Sequence, residues 1–275
     1  MVRRPLGNHH HGHDTLLVTS DTDQTEPAGG HGEPFEEPGG LRELVEGARV
    51  VLWDFDGPVC RLFAGHAADR VAGELVDWLE TLGLKELLTQ EEQVHPDPQV
   101  LLGAVNRRRH RSDLVADFEE RLTREELRAV PTAWPTEYAY PLIRTWSALG
   151  VGLAITTNNS PRAVSEYLEM RGLLDCFAPH IYGRTEALHL LKPDPYCLNR
   201  ALSAMGVAPA EALMVGDTTS DLTAARRAGV PFLGYGHNGR KAKILEEAGA
   251  ETVVHSLEPV LRLLWERAGP VADGA

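Results

Sequence analysis

From residue 140 onward, short apolar runs alternate with helical periodicity, and this alternation restricts the fold more than any other feature of the chain. Strands are expected at 151–156, 180–183, 212–215, 231–235 and 251–255. Helices are expected from Pro141 to Leu149 and over 161–171, 195–205, 219–228, 239–248 and 257–267. Gly150, Gly172 and Gly206 each follow a helical run as stop signals. Such alternation calls for an α/β fold, a doubly wound parallel sheet with helices on both faces.

An earlier apolar run, Val50-Val51-Leu52-Trp53, ends at Asp54-Phe55-Asp56-Gly57. Uninterrupted apolar residues suit a strand buried on both faces, here 49–54. Ligands of open α/β sheets bind beyond the carboxyl ends of strands, which puts Asp54 and Asp56 at the mouth of a site. Taken alone, Asp-x-Asp-Gly is more often a turn or a helix start than a catalytic site. Three further polar stretches fall at or beyond strand ends. Thr156-Thr157-Asn158 precedes a helix opened by Ser160-Pro161, whose backbone N–H groups can cradle a phosphate. Lys192-Pro193 supplies a cation beside a helix start. Gly216-Asp217 with Asp221 brings carboxylates of the kind that bind Mg²⁺.

Between the first strand and this βα series, about 60–134, only helices are expected, at 66–82, 97–108 and 113–130. The domain reading is therefore a tail at 1–40, a core at 41–59 and 135–270, and a helical insertion at 60–134. The tail is rich in His, Gly and Pro and reads as disordered. Its His9, His10, His11 and His13 are either chance residues of a solvated segment or metal ligands. Asn106-Arg107-Arg108-Arg109-His110-Arg111 is either a site for a second anionic group or a solvated face paired with acids.

Composition narrows the function. Hydrophobic residues make up 43% of the 275-residue chain and charged residues 24%, as in a soluble globular protein. The net charge of −13 argues against a nucleic-acid or anionic-membrane partner. Cys60, Cys176 and Cys197 lack metal-ligand spacing and suit a reducing compartment. No apolar run approaches a membrane span and no secretory leader is evident, so a cytoplasmic protein is expected. The sequence leaves the oligomeric state open.

Asp54-Phe55-Asp56-Gly57, Thr157-Asn158, Lys192-Pro193 and Gly216-Asp217 with Asp221, in this order, resemble the four motifs of the haloacid dehalogenase-like hydrolase superfamily. The likeness spans about 48–265 and is greatest to phosphoglycolate-phosphatase-type members. It implies a Rossmann-like core with the Asp54 and Asp217 strands side by side. It also implies a helical cap, inserted after the first motif, that closes over the site and selects the substrate. Asp54 would then be the nucleophile that forms an aspartyl-phosphate, and Asp56 the acid and base. Thr157, Asn158 and Lys192 would hold the phosphoryl oxygens. Asp54, the Asp56 carbonyl, Asp217 and Asp221 would bind Mg²⁺. Arg61, His66 and Arg70, nearest the hinge, are candidates for contacting a small phosphorylated metabolite. Pro58 departs from the pattern, standing where many members have threonine. The implied activity is a Mg²⁺-dependent phosphatase. A phosphomutase of the same superfamily, or a weakly active binding or regulatory module, are the alternatives.

Overall fold

The structure is a computed structural model that describes residues 39–268. The histidines of the N-terminal tail lie outside the described residues. Among those described, a six-stranded parallel sheet is formed by β1 (Val50–Trp53), β4 (Gly152–Thr156), β5 (Ile181–Tyr182), β6 (Ala212–Gly216), β7 (Phe232–Tyr235) and β8 (Val253–Val254). Its order is β5-β4-β1-β6-β7-β8. β1 is central because it is apolar at every position and buried along its whole length. It aligns Trp53 with Ile155 of β4 on one side and with Val215 of β6 on the other. Strand order reverses at β1, so the crevice beyond its carboxyl end is the switch point of the sheet.

Alternation along β1 feeds two cores. Val51 and Trp53 face a layer containing Trp146, Tyr167 and Leu261. Those residues come from α6 (Ala139–Ala148), α7 (Pro161–Met170) and α12 (Glu258–Ala268). α1 (Leu41–Gly47) and the single turn α8 (Leu174–Phe177) complete that layer, and Trp53 packs edge-on against Trp146 at 5.6 Å between ring centroids. Val50 and Leu52 face Leu198, Leu222 and Leu245. These belong to α9 (Tyr196–Met205), α10 (Thr219–Ala228) and α11 (Gly239–Glu247).

Between β1 and β4 the chain forms α2 (Ala68–Thr81), α3 (Gln90–Gln93), α4 (Pro98–Arg108) and α5 (Asp113–Ala129). α2, α4 and α5 share a hydrophobic cluster built on Leu75, Leu79, Leu101, Leu102, Phe118 and Leu122, which Leu188 of the core joins. Asp97 caps α4 and Ser112 caps α5, each side chain accepting a backbone N–H of the first turn.

The expectation of helices alone over 60–134 needs one correction. The segment enters and leaves as an antiparallel pair, β2 (Cys60–Arg61) with β3 (Trp134–Pro135). Two-residue strands carry no periodicity, so only the meeting of the two ends creates them. The short lead before the first strand is likewise a helix, α1, because Leu41 and Val45 bury one face of it.

Candidate active site

Parallel alignment carries the carboxyl ends of β1, β4 and β6 to one edge, and the polar residues beyond them meet there. Asp54 follows β1 directly, with its N–H bonded to the Val215 carbonyl at 2.9 Å. The chain then turns at Gly57, where φ is +131° and a Cβ would run into the Asp217 carboxylate. Glycine is required at this turn by the backbone angle and by the space alike. The turn aims Asp56 back across the crevice, and its Oδ1 accepts the Leu62 N–H at 2.8 Å. Thr136, just after the insertion ends, closes the turn by donating to the Gly57 carbonyl at 2.5 Å.

Lys192 is the electrostatic centre. It is 5% exposed. Its Nζ lies 2.7 Å from Asp54 Oδ1, 2.5 Å from Asp221 Oδ1 and 2.9 Å from the Thr156 carbonyl. Asn158 fixes the loop that carries it: Lys192 N–H donates to Asn158 Oδ1 at 2.8 Å, and Asn158 Nδ2 donates to the Lys192 carbonyl at 3.1 Å. Thr157 is buried, with its Oγ1 donating to Asn159 Oδ1 at 2.9 Å. Asp221 caps α10 by accepting the Thr218 N–H at 3.0 Å through Oδ2, leaving Oδ1 for the lysine.

Burial sets the protonation of the acids. It pushes Asp54 up to about 7 against the pull of Lys192. It pushes Asp56 up to about 7 as well, opposed by the Leu62 N–H. Asp217 rises to about 6, with Lys241 opposing. Burial works against the Lys192 ammonium, but Asp221 and Asp54 outweigh it and raise its pKa. One oxygen of Asp54, of Asp217 and of Asp221 lie within 4.8 Å of one another. Asp217 Oδ1 is buried without a hydrogen-bond partner. A buried, unsatisfied carboxylate oxygen beside two more carboxylates fits a hard divalent cation.

Two cavities flank Asp56. One, of about 260 Å³, is lined by Asp54, Thr157, Asn158, Lys192 and Asp221, with Pro96–Gln99 of the insertion above. The other, of about 570 Å³, is lined by Arg61, Trp134, Asp217, His237 and Lys241. The seven residues expected from the four motifs thus converge. Of the three hinge candidates only Arg61 faces these cavities, stacked over Trp134 at 5.6 Å. His66 bonds Glu125 at 2.9 Å, and Arg70 bonds Glu74 at 2.9 Å on the exposed side of α2. Arg107 and Arg108 both pair with Glu92. Cys60 is buried, and burial holds its thiol well above the usual range, so it is packing.

Sequence reasoning missed Lys241, which bonds the Asp217 carboxylate from the first turn of α11. It also missed Asn159, Glu126 and Arg184, which join behind the Thr157–Ser160 loop. The doubled asparagine before Ser160 was the one local sign of this arrangement.

An α/β sheet that gathers carboxylates around one buried lysine at its switch point is an arrangement suited to nucleophilic catalysis by a carboxylate. The chain belongs to the haloacid dehalogenase-like hydrolases, whose family model matches residues 48–229. A phosphoglycolate phosphatase from Thiobacillus denitrificans is 29% identical over 227 residues, spanning 76% of this chain and 92% of the relative. One from Neisseria gonorrhoeae is 29% identical over 206 residues, spanning 70% and 82%. The fold is shared with a haloacid dehalogenase-like hydrolase from Bacteroides fragilis, at a TM-score of 0.58 and 19% identity over 76% of this chain and 98% of that one. A haloacid dehalogenase-like family protein from Streptococcus pneumoniae gives 0.57 and 16% over 80% and 100%. The chain is an enzyme, a phosphatase that hydrolyses phosphate monoesters. Phosphatases of this family generally use Mg²⁺. Among the described residues no helix is long and apolar enough to cross a membrane.

Proposed function

We propose that this phosphatase hydrolyses a small monoester bearing a second anionic group, by way of an aspartyl-phosphate on Asp54. The observation that carries the reading is the Lys192 ammonium 2.7 Å from Asp54 Oδ1, inside the cavity that also holds Thr157. Lys192 and the Thr157–Asn158 loop hold the phosphoryl oxygens and orient phosphorus toward Asp54, since positioning and charge carry most phosphoryl-transfer catalysis. Asp56 borders both cavities, which supports a role for it between the phosphoryl group and the departing alcohol. With its carboxyl pushed up to about 7, it can deliver a proton to the leaving oxygen and take one from water in the second step.

Asp54, the Asp56 carbonyl, Asp217 and Asp221 would hold Mg²⁺. Bound there, the cation would offset the charge of carboxylates facing a phosphate dianion. Lys241 already pairs with Asp217 and lines the larger cavity together with Arg61. These two cations would receive the second anionic group of the alcohol. Phosphoglycolate, the compound named for the relatives, is a molecule of that kind. The helices of 60–134 would act as a cap over the smaller cavity, through Pro96–Gln99. The unpaired thiols Cys60, Cys176 and Cys197 suit the cytoplasm.

Phosphate release from a panel of phosphorylated metabolites, measured with Mg²⁺ and with excess chelator, tests the reading. Activity is expected to vanish with the chelator and return with Mg²⁺. Full turnover in excess chelator, or release from no member of the panel, would overturn it.

A further inference from the structure

The loop that carries Thr157 and Asn158 belongs to the core, yet its hydrogen bonds run into the insertion. Glu126, near the end of α5, is fully buried. Its Oε1 accepts Asn159 Nδ2 at 3.0 Å and Arg184 Nη1 at 2.9 Å. Its Oε2 accepts the Ser160 N–H at 3.0 Å and Arg184 Nη2 at 2.7 Å. Arg184, just past β5, has a fully buried side chain and spends its remaining donors on Thr123 Oγ1, Glu119 Oε1 and the Asn158 carbonyl, at 2.9, 2.9 and 3.0 Å. Gly183 permits this approach, since a Cβ there would stand 2.6 Å from the Asn159 carbonyl. Asn159 in turn accepts from Thr157 Oγ1 and donates its own N–H back to that oxygen.

A bidentate arginine–carboxylate pair is directional, so it fixes geometry more tightly than apolar packing would. A buried ion pair adds little net stability, but separating its partners is costly. The insertion joins the core through the two-residue strands β2 and β3. If α5 lifts, Glu126 leaves Arg184, Asn159 and Ser160 unsatisfied together. Loop geometry and the seating of α5 are therefore one cooperative unit.

We propose that Glu126 and Arg184 are positioning residues for phosphoryl transfer, which make the Thr157–Ser160 loop competent to bind phosphate only while α5 is docked. The proposal rests on the reading that this loop holds the phosphoryl group. Its signature is uniformity. The loop touches the part common to all phosphate esters, so disturbing it lowers kcat/KM by one factor whatever the alcohol. A residue that selects substrates would change their ranking instead.

The test uses full-length protein with Mg²⁺ and two variants. Glu126→Gln keeps the shape and removes the charge. The double variant Glu126→Met, Arg184→Met removes both charges, a change buried pairs often tolerate without loss of stability. Three readouts are taken: kcat and KM for an aryl ester, an alkyl ester and an ester with a second anionic group; inorganic phosphate affinity by calorimetry; and amide exchange over 157–160. In both variants kcat/KM should fall by about 10²-fold, the cost of a misplacement near 1 Å, equally for all three esters. Phosphate should bind more weakly, and 157–160 should exchange faster. If Glu126→Gln fails to fold, the double variant alone decides. A folded double variant with wild-type phosphate affinity and loop exchange overturns the proposal, as does a loss differing tenfold among the esters. If the wild type hydrolyses no ester, the phosphatase reading fails separately, and the binding and exchange data still decide the role of the pair.

Discussion

Replacing Asp56 by Asn separates the two aspartates of the first motif most cleanly. Asn keeps the Cβ, the volume and an oxygen able to accept the Leu62 N–H now held at 2.8 Å, so the turn survives. It removes the proton that a carboxyl with a pKa pushed up to about 7 can deliver. General acid–base catalysis contributes roughly 10²–10⁴-fold, or about 3–5 kcal/mol of barrier. An alkyl alcohol leaves poorly and needs that proton, so the first step for an alkyl phosphate should slow by the full factor. An aryloxide leaves with little help, and the first step for an aryl phosphate should slow by about tenfold or less. The assay is single-turnover release of the alcohol, with acid trapping of the acyl phosphate. Steady-state turnover is no substitute, because the proposed mechanism also uses Asp56 to activate water in the second step. Asp54→Asn is the control and should trap no phosphoryl-enzyme. Equal slowing of the alkyl and aryl esters, or trapped phosphate in Asp54→Asn, would refute the division of labour.

Stability of the chelated protein should depend on pH through the same carboxyls. Asp54, Asp56 and Asp217 are raised from 3.8 to about 7, about 7 and about 6. The folded state thus binds their protons more tightly than the unfolded state. Their stabilisation is complete below about pH 4 and is lost as pH rises through 6 to 7. Thermal melts in chelator should show a lower Tm at pH 8 than at pH 5.5, with Mg²⁺ raising the pH 8 value more; a flat profile would count against the burial argument. Gly57→Ala should cost about 1–3 kcal/mol, because a Cβ at φ +131° meets the Asp217 carboxylate. Denaturant titration reads that loss, and a weaker Mg²⁺ response should accompany it. Arg61→Ala should raise KM for an ester with a second anionic group and leave a plain aryl phosphate unchanged. Equal KM changes for the two would remove Arg61 from substrate recognition.

Much of this architecture was legible because it is local. Val50–Trp53 shows the apolar, β-branched run of a buried strand, and the helices of the insertion show their apolar stripes at 3.6-residue spacing. The polar residues that end β1, β4 and β6 pointed to one edge of the sheet, and parallel pairing brings them there. What escaped was either too short to carry a period or made by contact at a distance. β2, β3 and α8 are two to four residues long and exist because their neighbours hold them. His66 and Arg70 sit near the hinge in sequence, but Glu125 and Glu74 draw them away from the crevice.

The sequence by itself determined the elements and the chemical inventory: two carboxylates after one strand, a hydroxyl and an amide after a second, an acidic pair after a third, and one lysine just before a proline. Backbone propensity and side-chain type are written residue by residue, so they survive reading in isolation. Tertiary structure alone decided which charges meet. Arg184 and Glu126 are 58 positions apart, and nothing near either one marks it as buried. Lys241 meets Asp217 only because β6 and β7 are neighbours and α11 starts beyond the second of them. An ion pair depends on distance in space, and that distance exists only after the strands have paired and the insertion has docked on the core.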